Sequence, residues 1–294
     1  MTRNKTKQNK RREEEQGLVG IRPSIDQTTP NCNSNCNSNC NCKCNCKCNS
    51  NCNSNCHYYC NIMTHEDVYN SSREGNVDEL TAILNEMDIN TAVFADEHGE
   101  NAIHQVARFN HFNCIDILIE HGIDVNSKNN YEWTALHIAS KEGYVHCILK
   151  LIENGIDVNS KNDRNWTALH LACYYGHENC LQILLNNEDI DFNCKTNEGY
   201  TSFHLAAING KLHIIEMLID RNIDINNNDN IYHSTALHLS SGNGHQNIVQ
   251  MLLDHGIIID DDIDKYEPYR NMVDATDCRP IIIIEIERRN RVNQ

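Results

Sequence analysis

Ten of the chain's sixteen cysteines fall between residues 31 and 60, in "NCNSNCNSNCNCKCNCKCNSNCNSNCHYYC". Within that tract Cys40, Cys42, Cys44, Cys46 and Cys48 stand at every second position. Soft thiolates at this spacing suit Zn(II) or Cu(I), because a flexible chain can wrap four of them into a tetrahedral shell. Two other readings compete with metal binding. Every even position from 32 to 56 is Cys or Ser, and every odd position from 31 to 55 is Asn or Lys. A short nucleotide repeat that expands and drifts yields such an alternation without selection for chemistry. S-acylation of the thiols would pin the chain to a membrane, but it needs two or more lipid chains, and the neighbours here are asparagines.

The sixteen histidines form a second chemical candidate. Five of them, His104, His137, His170, His204 and His238, recur at intervals of 33, 33, 34 and 34 residues. If each interval is one layer of packed helices, equivalent residues lie ~8–10 Å apart. Two ligand atoms on one zinc ion are no more than about 4.5 Å apart, so the row cannot share a metal. Cys114, Cys147 and Cys180 repeat in the same way and occupy the slot of Ile214 and Ile248. There cysteine acts as a small apolar residue, and one layer exceeds the Cα separation of about 4.4–6.8 Å that a disulfide allows. Cys173 takes the slot of Ala207 and Cys194 that of Ser160. With no phosphate loop, triad signature or zinc-finger spacing, the expectation is a non-enzyme without a catalytic residue.

The elements that carry these residues are helices. The segments "NAIHQVA", "TALHIAS", "TALHLAC", "TSFHLAA" and "TALHLSS" each open on Asn101, Thr134, Thr167, Thr201 or Thr235, all good helix N-caps. Each is followed by a second helix with an apolar stripe at i, i+1, i+4, i+5, such as Cys147/Ile148/Leu151/Ile152. A short phrase then closes the unit: "GIDVN" twice, "DIDFN" and "NIDIN". This pattern resembles the ankyrin-repeat family, whose unit is about 33 residues with a Thr-Pro-Leu-His-x-Ala core. Here Ala102, Ala135, Ala168, Ser202 and Ala236 replace the proline, which is favoured but not required at the first helical position. The resemblance implies an all-α solenoid of stacked helix pairs with β-hairpin loops, in which neighbouring units bury each other's faces. It implies too that each repeated histidine hydrogen-bonds loop backbone between units. The expected division is a disordered tail over 1–62 and a repeat domain over 63–290. Within the domain we expect a capping unit at 64–95, repeats at 96–128, 129–161, 162–195, 196–228 and 229–260, and a degenerate cap at 261–290.

Charge narrows the partner. The first 62 residues hold nine Lys and Arg against four Asp and Glu, whereas the remaining 232 hold sixteen against thirty-seven. So acidic a body repels phosphate backbones, which argues against nucleic acid. No apolar run approaches a membrane span or a signal peptide. A monomer in the cytoplasm is the expectation, with nuclear import left open by "KQNKRR" at Lys7 to Arg12. In the family, partners are held by the hairpin tips and the exposed face of the first helix. Just before three successive caps stand Trp133, Trp166 and Tyr200, which read either as an exposed row of interface anchors or as side chains folded over a neighbouring loop. Arg108, Phe109, Lys141, Glu142, Tyr174, Tyr175, Ile208 and Asn209 end the first helices and would line the same concave face. The partner is an unidentified protein. No cofactor is expected, unless Zn or Cu binds the cysteine tract.

Overall fold

The computed structural model describes residues 65–86, 95–228, 230–260 and 277–292. The cysteine tract, the basic run before it and the whole of the expected tail lie outside those residues. Thirteen helices are described, arranged mainly as antiparallel pairs. They are α1 (His65–Glu74) and α2 (Val77–Glu86), α3 (Ala102–Arg108) and α4 (Ile115–Glu120), α5 (Ala135–Glu142) and α6 (Val145–Glu153), and α7 (Ala168–Tyr175) and α8 (Glu178–Leu185). After these come α9 (Ser202–Ile208) and α10 (Leu212–Ile219), α11 (Ala236–Gly242) and α12 (Gln246–Asp254), and finally α13 (Arg279–Val292). First helices pack on first helices and second helices on second helices, so a two-layer solenoid results, as the repeat pattern predicts.

Each first helix begins where a polar residue turns the backbone from extended to helical. Thr167 has φ −105° and ψ 171°, and its hydroxyl accepts the His170 backbone N–H. The same capping box, closed in return by the histidine side chain, starts α3, α5, α7, α9 and α11. The pair α5/α6 turns at Gly143, whose φ of 81° lies in the left-handed region, where a Cβ is costly. A Cβ there would also stand 2.7 Å from the ring of His177 in the next unit.

The apolar stripes of the second helices face inward. Ile115, Ile148, Leu181, Ile215 and Val249 are completely buried. They join one continuous core that runs from Val68 to Ile282, the arrangement a solenoid needs because no unit closes a core alone. Ile119, Ile152 and Ile219, the fourth members of their stripes, are only partly covered.

The β-hairpin loops take a reduced form, and no strand occurs among the described residues. Each tip is a tight turn closed by a pair of backbone bonds: Asn129, Asn162 and Thr196 donate N–H to the carbonyls of Trp133, Trp166 and Tyr200 at 2.9–3.0 Å, and their own carbonyls accept from Glu132, Asn165 and Gly199 at 2.8–2.9 Å. One further bond joins successive tips, as from Asn130 N–H to the His98 carbonyl. Three bonds per unit hold the tip in place but make too short a ladder for a strand. The side chains of Asn129 and Asn162 finish the turns by accepting the backbone N–H groups two and four residues on.

Candidate functional site

The repeated histidines come first, because they position the tips. In every unit Nδ1 accepts the backbone N–H of the cap residue at 3.1–3.2 Å. An acceptor at Nδ1 leaves the proton on Nε2. From there His104 donates to the Trp133 carbonyl and His137 to the Trp166 carbonyl, both at 2.9 Å. The bridging role implied by the sequence resemblance is therefore observed at His104 and His137, and at His204 through the Asn227 carbonyl, but not at His170, whose Nε2 has no hydrogen-bond partner. Burial holds His137 and His170 down to about 4, and it lowers His104 in the same direction. They are neutral structural pins.

A second histidine ladder escaped the sequence reading. His111, His177 and His245 sit just before second helices and donate Nε2–H to the carbonyls of Arg73, Lys141 and Ile208 in the preceding unit, at 3.2, 2.8 and 2.9 Å. Their rings rest against Gly75, Gly143 and Gly210. The legible signal was a glycine followed 34–36 residues later by histidine.

The tip aromatics differ from an exposed, unpaired row, one of the two readings the sequence left open. Trp133, Trp166 and Tyr200 are half-buried. Each ring lies on the histidine of its own unit, with centroids 5.8 Å apart for Trp133–His137, 6.3 Å for Trp166–His170 and 6.1 Å for Tyr200–His204. The packing alternative is thus realised in part, although the covering is over the unit's own imidazole rather than a neighbour's loop. Apolar ring area beside a neutral, buried imidazole is favourable to cover, and that contact pulls the rings inward.

Around Trp166 the aromatics become continuous. Its ring meets Tyr174 edge-on at 5.3 Å, Tyr174 meets Tyr175 at 5.0 Å, and Tyr175 stacks on His177 at 6.1 Å. Tyr175 keeps 41% of its surface exposed. The path crosses from hairpin tip to helix end on one unit. Phe109, also 41% exposed, holds the place equivalent to Tyr175 two units earlier and lies under the Arg73 guanidinium at 5.7 Å. Tyr200 instead has Tyr232 as a neighbour at 6.5 Å.

The remaining predicted contacts divide by use. Arg108 ion-pairs with Glu100, which is buried in the tip position that tryptophan fills elsewhere. Gln105 and Asn129 also donate to that carboxylate. Arg108 therefore serves the fold before it serves a partner. Lys141 and Glu142 pair with each other at 3.6 Å near the surface. Ile208 and Asn209 are half-buried, and Asn209 is turned back on the Leu205 carbonyl at 2.8 Å.

The body's cysteines are packing residues. Cys114, Cys147, Cys173, Cys180, Cys194 and Cys278 are free and buried. Burial pushes the thiols of Cys147 up to about 12 and of Cys180 up to about 11, so thiolate chemistry is disfavoured. Cys194 touches Asp191 at 3.2 Å, but its thiol donates to the carboxylate and is raised to about 11. Among the described residues no three His, Cys, Asp or Glu side chains converge as a metal shell. No described helix is long and apolar enough to cross a membrane.

Comparison with known families agrees with this geometry. A model for ankyrin repeats in three copies matches residues 68–162 and 154–229, and a single-repeat model matches 232–265. No curated protein matches the chain. The capped helix pairs, the bridging histidines and these matches establish that the chain belongs to the ankyrin-repeat family, whose arrays are typically non-enzymatic and generally serve as protein–protein interaction modules.

Proposed function

We propose that the chain is a scaffold that binds a partner protein on its concave, tip-side face, centred on the third clear repeat. The observation that carries this reading is the aromatic path Trp166–Tyr174–Tyr175. Elsewhere on that face Arg108, Lys141 and Asn209 are ion-paired or turned back on their own backbone, and Phe109 packs against Arg73 and His111 without a second large aromatic beside it. Large rings already held in place lose little conformational entropy on binding, and Tyr and Trp are the usual interface anchors. Trp133 and Tyr200 would border the contact.

Affinity capture from the source cell should recover a partner with the parent chain and lose it with Tyr174→Ala/Tyr175→Ala. Both side chains sit at the end of α7 and neither belongs to the continuous core, so the fold should survive, which circular dichroism checks. Equal recovery of every partner by the folded double variant would refute the reading.

A second reading concerns the five alternating cysteines, Cys40 to Cys48. They would bind Zn(II) or Cu(I) as a thiolate buffer attached to the scaffold. Native mass spectrometry of the reduced, metal-free chain tests this against a variant with those five cysteines changed to serine. Stoichiometric uptake by the parent alone supports it, and equal uptake by both rejects it.

A further inference from the structure

In a body where acids outnumber bases thirty-seven to sixteen, a cation without an internal partner is the exception. Arg108 pairs with Glu100, Lys128 with Glu132, Lys141 with Glu142 and Lys150 with Asp116. Arg73 lies over the Phe109 ring. Among the described residues, the side chains of Lys161, Arg164 and Lys211 carry no ion pair, hydrogen bond or ring contact. All three fall on, beside or against the third clear repeat, the one that carries the aromatic path.

Two of these cations bracket that path. Arg164 is exposed on the tip, two residues before Trp166. Lys211 caps α10 and folds its side chain against Gly176, the residue after Tyr175. A Cβ on Gly176 would stand 2.8 Å from its Cδ and 3.3 Å from its Nζ. In three other units histidine holds this place and bonds back to the preceding unit, as His111, His177 and His245 do. Lysine gives up that bond and brings an ammonium to the end of α7, where Tyr175 stands. Asp163, beside Arg164, and Glu178, two residues past Gly176, pair with neither cation. Lys161 differs, because it lies within electrostatic reach of Asp191.

We infer that the partner presents an extended peptide segment with an apolar centre and a carboxylate at each end. This rests on the aromatic path being the contact face, and it names the chemistry that face accepts. Aliphatic or aromatic side chains cover Trp166, Tyr174 and Tyr175, while the two carboxylates meet Arg164 and Lys211. A basic segment laid along the same path sets like charges together at both ends, which selects against it. The acidic surface around the site repels a run of acids, so two spaced carboxylates are favoured over a polyanion. The ring-to-ring steps are 5.3 and 5.0 Å. With a side chain's reach added at either end, the carboxylates stand about four to six extended residues apart, at ~3.3 Å each.

Selection of a phage-displayed library of random short peptides on the full chain, with reductant present, tests this. Peptides that lose binding to Tyr174→Ala/Tyr175→Ala report the face, and they should carry Asp or Glu on both sides of an apolar centre. A selected peptide, titrated by fluorescence polarisation, should bind Lys211→Met and Arg164→Met about three- to tenfold more weakly than the parent. Methionine keeps the methylenes that pack on Gly176, so the melting curve should not move. Lys211→Glu should prefer the peptide whose facing acid is changed to lysine, a reversal that damage to the fold cannot produce. Face-dependent peptides that lack acids, or that bind Lys211→Met and Arg164→Met as well as the parent, overturn the inference and leave the contact face standing. A selection that yields no peptide dependent on Tyr174 and Tyr175 overturns both.

Discussion

Lowering the pH from 7 to 5 should destabilise this protein through its histidine ladder, before its carboxylates respond. His137 and His170 are essentially without solvent exposure. Burial, only partly offset by nearby backbone carbonyls, holds each at about 4, against about 6.5 for an unfolded histidine. Between those two values the unfolded chain binds protons that the folded chain does not. Stability therefore rises with pH across that window and is lost as pH falls from about 6.5 toward 4. At pH 5 each histidine contributes a difference of about 0.9 proton, a slope of ~1.2 kcal/mol per pH unit. Integrated from pH 7 to 5, the pair costs about 3–4 kcal/mol, a large share of the ~5–15 kcal/mol that holds an ordinary domain. His104 is lowered for the same reason and adds in the same direction. The depressed carboxylates Asp116, Asp191, Asp277 and Glu285 matter mainly below the unfolded carboxylate range of about 4–4.5. His213, raised by Glu216 at the surface, works weakly the other way.

The chain carries its own probe, because Trp133 and Trp166 lie against His137 and His170. Urea unfolding followed by tryptophan fluorescence at several pH values between 7 and 5 reads the stability directly. His137→Gln keeps a polar side chain at the third helical position but cannot titrate, so it should remove close to half of the pair's pH slope. A stability that changes by less than ~1 kcal/mol from pH 7 to 5 would falsify the assignment of neutral buried pins. So would a His137→Gln variant with the full parental slope.

Other perturbations have comparably definite outcomes. Gly143→Ala forces a Cβ onto the His177 ring at a φ of 81° and should cost about 2–4 kcal/mol in urea unfolding, combining left-handed strain with overpacking. Gly155→Ala, at a φ of 79° but with open space around the new Cβ, should cost only ~1–2 kcal/mol. Equal losses from the two would show that the histidine contact is not the cause. Glu100→Ala strands Arg108, Gln105 and Asn129 around a vacated site and should cost ~2–4 kcal/mol. Because Arg108 is partly exposed, a loss at the lower end is expected, and the melting temperature reports it. Cys147, Cys173 and Cys180 should resist alkylation at pH 8 in the native chain and react fully in urea, as intact-mass measurement would reveal, given their burial and raised thiols.

The parts of this fold that could be read from the sequence are those that repeat in it. A histidine three residues after a threonine or asparagine, five times over, is a periodic signal that carries the family resemblance, and that resemblance implies its bridging role. Second-helix stripes were legible for the same reason. What escaped depends on contacts between units that differ in composition. Glu100 stands in the tip position of Trp133 and Trp166, and nothing in its neighbourhood announces that Arg108, eight residues on, will neutralise it in a buried tip. The tip tryptophans read either as exposed anchors or as rings folded over a neighbouring loop, whereas the imidazole each one covers lies four residues further along in its own unit. The terminal "RPIIIIEIERR" looked worn down, since four successive isoleucines conceal which one faces the core. Placed against α12, the stripe is Cys278, Ile282, Glu285 and Arg289, with a glutamate and an arginine doing the work of aliphatics.

The spacing of the histidines carries one more level of information. Where the interval is 33 residues, as from His104 to His137 and from His137 to His170, Nε2 bonds to the carbonyl 29 residues ahead, just before the next cap. Where the interval is 34, that bond fails or moves. The carbonyls of Tyr200 and Cys194 face His170, yet neither reaches Nε2 in normal geometry. His204 abandons the place before the next cap and donates to Asn227, 23 residues on. In both cases the extra residue lies in the loop that delivers the acceptor, within 186–189 and 227–229 when the units are aligned. A rigid imidazole pinned at Nδ1 cannot follow a displaced carbonyl, so a single inserted residue is felt as a lost or rerouted hydrogen bond rather than a small shift. The junctions that flank the fourth repeat therefore lack the regular bridge from Nε2 to the carbonyl before the next cap. Tyr174 and Tyr175 stand at the first of them, so the face proposed for partner contact spans the point where the array's regular pinning gives way.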